Sequence, residues 1–333
     1  MGYRAEKERK ERERKKLRAV LLVLFLIAAA GLTLVNYFTP IESWKYYFAL
    51  PEISARAEGE LRVHFLDVGQ ADSTLIEFPD GQTMLIDGGD VDGDKAILRY
   101  LNALKIERLD YILLTHTDSD HCGSLATVME YKEVGRVFLP FAQGDETEKA
   151  AFQEFVEVLE KRDVESEIAK RYTSVESSDE RYPYTFCILF PYSSSSGGNG
   201  DFYDNQLSTI AWLDYQGVST LFCGDTSASV LSKLVVEDEL GAFSLKNVDL
   251  ASAEILKVPH HGSQTAVNSA ILEYLNVQTA VISCGKNNYY GHPSGETLAA
   301  LSALEIETYR TDWRGNILLT VQADGTKRFS CEK

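Results

Sequence analysis

THTDSDH, residues 115–121, follows directly on the apolar run YILL at 111–114. That junction decides how the chain is read. YILL has the length and apolarity of a buried strand. The heptapeptide after it places four ligand-capable side chains, His116, Asp118, Asp120 and His121, within six residues at the strand end. A tight loop of this kind aims His116 and Asp118 at one cation, and Asp120 and His121 at a second. Two cations about 3.5–4 Å apart share a nucleophile and clamp both the attacking and the leaving oxygen of a displacement. An acidic surface loop with incidental histidines is the bland alternative.

The same arrangement recurs further along. FCGDT (222–226) is an apolar strand that ends in Asp225, LKVPHHGS (256–263) ends in His260 and His261, and YGHP (290–293) presents His292 after a late strand. Loops at the carboxyl ends of strands are where sites gather in α/β folds. Adjacent side chains point in different directions, so one of His260 and His261 is expected as a ligand and the other as its supporter or a substrate contact. His64, alone in the alternating LRVHF, reads as an ordinary packed or exposed histidine.

Alternation and apolar periodicity predict strands at 61–65, 73–78 and 82–86, the last two joined by the Pro-Asp-Gly turn at 79–81. They also predict strands at 111–114, 207–214, 218–223, 255–258 and 280–283. Helices are expected at 95–104, 146–162, 227–236, 268–275 and 296–304, and a flexible loop at 193–200. Meander strands first and strand–helix alternation later suggest two sheets sandwiched by helices.

At the N-terminus, residues 1–18 hold nine Lys/Arg against four Glu, a balance of +5, and residues 19–38 carry no charge. Roughly 20 apolar residues cross a membrane as a helix. The segments expected are therefore a basic cytoplasmic tail (1–18), a transmembrane signal-anchor (19–38), a linker (39–60) and an extracytoplasmic domain (61–333). Ala28, Ala29 and Ala30 offer a cleavage site, with secretion as the alternative. The apolar run, however, continues past the ~7–15 residues of a secretory signal, which favours retention. The net charge of −17 becomes −22 once the tail is set aside. So acidic a domain repels polyanions at long range, and any nucleic-acid contact has to be local. The five cysteines form no C-x-x-C pair, which excludes a zinc ribbon, and Cys223 reads as a core residue.

LDVGQADS (66–73), LIDGG (85–89), THTDSDHCGS (115–124), NQLS (205–208), FCGDT (222–226), VPHHGS (258–263) and YGHP (290–293) together resemble the metallo-β-lactamase superfamily. The likeness is greatest to the hydrolase domain at the C-terminus of ComEC-type competence proteins. It spans about residues 61–331, in the family's motif order. It implies a four-layer αββα sandwich, two divalent metal ions (Zn or Mn), and phosphodiesterase or nuclease chemistry.

Carried over motif by motif, His116 and Asp118 hold one metal and Asp120 and His121 the second. Asp225 bridges them, and His260, or else His261, completes the second site. Asp87 orients a ligand histidine, and Asp67, Gln70, Asn205, Ser263 and Tyr290 surround the ligands or face the substrate. The commonest first motif of the superfamily has a histidine where Asp118 stands. Its usual histidine ahead of the G-D strand is missing here, with Asn205 in that region, and Ala71 stands where glycine is more frequent. These departures make the centre richer in oxygen ligands and bring manganese level with zinc.

The reaction expected is hydrolysis of a phosphodiester by hydroxide held between the metals, with Asp120 positioning it and His292 protonating the leaving oxygen. Extracellular DNA and cell-envelope phosphodiesters are the substrates that fit. A non-catalytic DNA-binding or scaffolding module of the same fold is the alternative, and the retention of every motif carboxylate and histidine favours the enzyme.

Overall fold

The computed structural model of the protein describes residues 2–38, 53–142, 147, 149–192 and 204–333. The chain forms two compact units, Met1–Leu50 and Pro51–Lys333. The expected loop at 193–200 and residues 39–52 of the expected linker lie outside the described residues.

The first unit is a helix, α1 (Gly2–Phe38). The basic stretch and the apolar stretch are thus one continuous helix, rather than a tail followed by a span. In its basic half, Arg9 pairs with Glu13 at 3.5 Å and Lys15 with Glu11 at 3.6 Å, one turn apart. The apolar side chains from Val20 to Ile27 are all more than half exposed. Among the described residues no helix is long and apolar enough to cross a membrane. The expected span 19–38 is thus helical but is not shown to cross a membrane.

In the second unit, β1 (Leu61–Phe65), β2 (Thr74–Glu77) and β3 (Thr83–Ile86) form an antiparallel meander. β4 (Arg108–Leu113), β5 (Glu133–Leu139) and β6 (Glu165–Ile168) then continue the sheet in parallel from β3. A second sheet contains β7 (Ser174–Val175), β8 (Thr185–Phe190), β9 (Ile210–Tyr215), β10 (Val218–Phe222), β11 (Ile255–Lys257), β12 (Thr279–Ile282) and β13 (Glu307–Arg310). β14 (Ile317–Val321) and β15 (Lys327–Cys331) return to the first sheet beside β1. Among the described residues the orders are β15-β14-β1-β2-β3-β4-β5-β6 and β13-β12-β11-β10-β9-β8-β7.

Parallel neighbours need crossover helices. α2 (Asp94–Ala103) links β3 to β4, α3 (Ser119–Cys122) and α4 (Leu125–Tyr131) link β4 to β5, and α5 (Ala150–Lys161) links β5 to β6. α6 (Ala228–Glu239), α7 (Ser269–Leu275) and α8 (Gly295–Ala303) do the same from β10 to β13, and a one-turn α9 (Thr311–Arg314) follows. Because β3–β4 and β10–β11–β12 run parallel, their carboxyl ends deliver all the motif loops to one edge of each sheet.

Alternation divides each strand between two cores. Val63, Phe65, Leu113 and Phe138 meet Phe186, Leu213, Phe222 and Val281 between the sheets. Phe65 and Phe222 face each other across that layer with centroids 6.5 Å apart. Burying one such side chain contributes about 1.5–3 kcal/mol. Trp212, Leu221, Leu256 and Ala280 point the other way, under Val230 and Leu234 of α6, Ile271 of α7 and Leu301 of α8. On the far side, α2 packs on α4 and α4 on α5 and β5. The layers are helix, sheet, sheet, helix.

One local reading is narrowed, His64 being packed rather than exposed, and one changes. His64 is fully buried, held by Tyr100 Oη at 3.0 Å and Glu77 Oε1 at 2.9 Å. Residues 53–60, assigned to the linker from sequence, pack on the domain instead: Gly59 O accepts from Tyr215 Oη at 2.7 Å and Ser54 O from Arg62 Nη1 at 2.8 Å. All five cysteines are free, and Cys223 is a buried core residue.

Candidate metal centre

The site starts from Asp87, the residue after β3. It adopts the left-handed conformation (φ 59°), and its amide donates to Leu113 O at 2.9 Å, fixing it against the end of β4. Its carboxylate accepts from Thr115 N and Thr115 Oγ1, both at 2.8 Å, and stands 2.7 Å from His121 Nδ1. That contact assigns the Nδ1 proton and leaves Nε2 of His121 as a lone-pair donor aimed inward. The α3 turn, closed by His121 N to Asp118 O at 3.0 Å, brings Asp120 and His121 to the same side.

From the second sheet come Asp225 after β10 and His261 after β11. Asp120, His121, Asp225 and His261 each offer a ligand atom, and these four atoms lie within 4.8 Å of one another. His121 Nε2 is 3.1 Å from Asp225 Oδ1, and His261 Nε2 is 3.2 Å from Asp120 Oδ2 and 3.7 Å from Asp225 Oδ2. His261 Nδ1 donates to Ser283 O at 3.0 Å, so its Nε2 also faces the cluster.

The opposite flank of Asp225 carries a looser group. His116 Nε2 lies 3.5 Å from Asp118 Oδ2 and 4.0 Å from Asp225 Oδ2, and His260 Nε2 is 3.6 Å from that same oxygen. Asp225 stands between both groups. It is His261, buried, rather than the part-exposed His260, that joins Asp120 and His121. Both histidines take left-handed φ values, 48° and 52°, a strained pair of the kind that clusters at functional sites.

A metal fits these residues. His116 Nε2, His121 Nε2 and Asp225 Oδ1 are buried and make no hydrogen bond; the 3.1 Å approach of the last two is not aligned as one. An unsatisfied buried polar atom costs about 1–3 kcal/mol. Several that converge, all nitrogen or oxygen donors, form the donor set of a divalent cation such as zinc, manganese or iron.

The electrostatics agree. Burial works against the charge on Asp225, yet the imidazoles of His121, His261 and His116 overturn it and hold the carboxyl well below the usual range. Burial likewise opposes an imidazolium at His121, and the Asp225 and Asp87 carboxylates outweigh it, raising that pKa well above normal. His116 beside Asp118 depresses the Asp118 carboxyl, with Lys149 adding to the effect.

The surrounding residues divide clearly. Gln70 reaches across to accept from Gly285 N at 2.9 Å, tying the first loop to the one after β12. Asp67 turns away, its amide donating to Asn316 Oδ1 at 2.8 Å and its carboxylate 3.2 Å from Lys333 Nζ. The Ser263 hydroxyl is engaged with Thr265 Oγ1 at 3.2 Å. Asn205 contributes its carbonyl to Ser208 N at 2.9 Å, and Ser208 Oγ accepts from Asp225 N at 3.1 Å. Gly224 (φ 50°) is required there, because a Cβ would come 2.9 Å from both Ser208 Cβ and Thr115 Cβ.

His292 lies at the mouth, its ring 5.5 Å from that of His260, and its buried Nδ1 has no partner. Burial, with the His260 and His261 rings adding, keeps its pKa below the usual imidazole range. Tyr290 stacks on it, with centroids 5.8 Å apart.

Two residues escape sequence reasoning. Lys257, in β11, is almost fully buried and pairs with the buried Asp72, whose Oδ1 also accepts from Ser283 Oγ at 3.3 Å. Asp72 N in turn donates to Asp120 O at 3.0 Å. One carboxylate thus joins the first loop to the ends of β11 and β12, behind the ligands. A lysine inside the apolar ILKV was the available signal. Lys149, which pairs with Asp118, sits just before α5 and carried no such signal.

Residues 66–137 match the model of the metallo-beta-lactamase superfamily. The chain is 29% identical over 289 residues to ComE operon protein 3 of Bacillus subtilis, which covers 81% of this chain and 34% of that protein. It is 25% identical over 313 residues to competence protein ComA of Neisseria gonorrhoeae, 92% of this chain and 39% of that protein. The chain thus spans only about a third of the length of these curated relatives. Among solved structures, Zn(2+)-bound PqqB from Methylobacterium extorquens aligns with a TM-score of 0.45 at 10% identity, over 78% of this chain and 87% of that one. The matched segment and the competence-protein relatives make the chain similar to metallo-β-lactamase superfamily proteins of the ComEC-like kind.

Proposed function

We propose that this protein is a metal-dependent phosphodiesterase or nuclease. The observation that carries the reading is the convergence of Asp120, His121, Asp225 and His261, with His116, Asp118 and His260 on the far side of Asp225. Asp120, His121, Asp225 and His261 would hold one divalent cation, and His116, Asp118 and His260 a second, with Asp225 shared between them. Zinc and manganese both suit this donor set. Such a cation pair supplies a nucleophilic water near neutral pH and neutralises charge developing on the phosphoryl oxygens.

The chain's own residues supply the rest. Asp120, reached by His261, orients the attacking water. Asp87 and the carbonyl of Ser283 keep His121 and His261 in the tautomer that presents Nε2. His292, at the mouth, delivers a proton to the leaving oxygen.

Membrane association outside the cytoplasm fits the basic flank and the exposed apolar side chains of α1. DNA, or a phosphodiester of the cell envelope, is the substrate class this placement supports.

The test is metal analysis of the purified full chain, with assays on single-stranded DNA and on bis(p-nitrophenyl) phosphate. Bound divalent metal and hydrolysis are expected, both lost in Asp225→Asn. Full activity in that variant overturns the reading. Bound metal without hydrolysis of either substrate points instead to a non-catalytic binding module.

A further inference from the structure

Tyr289 and Tyr290 are 99% and 70% exposed, on the loop between β12 and α8. Large aromatic rings this bare, at the rim of a ligand cluster, have no role in the fold. The loop itself is anchored. Asn288 Nδ2 donates to Gly285 O at 2.9 Å, Asn288 Oδ1 accepts from His292 N at 3.0 Å, and Gly285 N donates to Gln70 Oε1 at 2.9 Å. The rings are therefore presented from a fixed base.

They are also aligned with the site. Tyr290 lies nearly parallel to His292, at 5.8 Å and 25°. His292 lies nearly parallel to His261, at 6.4 Å and 23°. Three near-parallel rings run from solvent to a ligand of the cluster, and Tyr289 stands edge-on to the outermost at 6.4 Å and 81°.

We infer that Tyr289 and Tyr290 form a stacking platform for an unpaired nucleobase, so that the phosphodiester hydrolysed at the centre is that of a nucleotide strand with free bases. This deepens the proposed function and rests on it. Tyr290, two ring steps outward from His261, is placed to receive a base of a strand whose phosphate lies at the cluster. Every base has a π-face, so stacking grips a strand without reading its sequence. The charge of −22 outside the basic tail points the same way, because so acidic a surface repels a strand's phosphates away from the cluster. Stacking supplies the affinity that a basic groove supplies elsewhere. A duplex keeps its bases in its own stack and is a poor substrate.

The experiment compares kcat/KM of the full-length protein on thymidylyl-thymidine and on glycerophosphocholine, in wild type, Tyr289→Ala and Tyr289→Ala/Tyr290→Ala. The wild type is expected to favour the dinucleotide. That preference should fall about 10-fold per ring removed, through KM rather than kcat, and return in the Phe variants.

An unchanged preference in the double variant overturns the inference while leaving the hydrolase reading intact. An equal loss on glycerophosphocholine overturns it too, since the rings would then serve the site generally. If the wild type hydrolyses neither substrate, the hydrolase reading fails. Binding of a non-hydrolysable dinucleotide to wild type and to the double variant then decides the platform by itself.

Discussion

Nε2 of His121 lies 3.1 Å from Oδ1 of Asp225, although the two residues follow strands of different sheets. The contact is buried and carries no aligned hydrogen bond. A raised imidazole pKa facing a depressed carboxyl is what remains when protons occupy the place of a cation.

Cation binding should therefore release protons. For His121 and His261, burial opposes the charged ring, but Asp225 with Asp87 in the first case, and Asp225 with Asp120 in the second, raise the pKa above the ordinary 6.5. A raised pKa favours the protonated ring, whereas a metal needs it neutral. Apparent affinity should climb with pH through neutrality and level off above the raised values. Titration calorimetry at pH 7 in buffers of different ionisation enthalpy reads the released protons. A heat that does not depend on the buffer rules this out.

Asp87→Asn should weaken metal binding by about 10–100-fold, the usual cost of removing the partner that fixes a ligand histidine. The fold should survive, because the Asn side chain can still accept from Thr115 N. Competition with a chromophoric chelator gives the affinity, and a wild-type value would contradict the role drawn from the 2.7 Å contact.

Lys257→Met alone should destabilise the domain by about 3–5 kcal/mol, because it strands the buried Asp72 carboxylate. Lys257→Met with Asp72→Asn should recover most of that loss, as both charges go together. Denaturant unfolding of the three proteins decides it. Equal losses in the single and double variants would mean that packing, not charge, holds this point.

His292→Ala should slow hydrolysis of a diester with an alkoxide leaving group by about 10²-fold or more, within the range for positioned proton-handling groups. The same change should matter little for a p-nitrophenolate ester, whose leaving oxygen needs no help. Steady-state rates on the two substrates separate the cases, and equal losses would place His292 in binding instead.

Acid should destabilise the domain before its carboxylates titrate. Burial lowers the pKa of His64, so the unfolded chain takes up a proton below about 6.5 that the native state refuses. A depressed folded pKa gives stability that is present above that pH and is lost as pH falls. Glu77 adds a later loss in the same direction: burial opposes its charge, yet contacts with His64 keep its pKa low. Melting temperatures from pH 7.5 to 5.5 should drop less in His64→Gln than in wild type.

Much of the architecture was legible residue by residue. Strand period and turn chemistry placed β1 to β3 and the hairpin of β9 and β10 within a few residues, and the apolar face of α5 through Phe152, Phe155 and Leu159. β6, with all four residues exposed, and the alternately half-exposed β14 and β15 gave no comparable signal. β6 and β15 are edge strands, and β14 pairs with β1, more than 250 positions away. Residues 53–60 were missed because they have no periodicity of their own and are tied down by Arg62 and by Tyr215, the latter more than 150 positions away.

The sequence by itself determined which side chains are available and that they stand at strand ends, because apolar alternation and the polar break after it are local properties. Only the tertiary structure decided that His261 rather than His260 joins Asp120 and His121, that Asp225 stands between the two side-chain groups, and that Asp72 and Lys257 pair behind them. Those choices depend on how one sheet's edge abuts the other's. Neighbouring residues can differ in direction by half a turn, and no local pattern records which of them faces the opposite sheet.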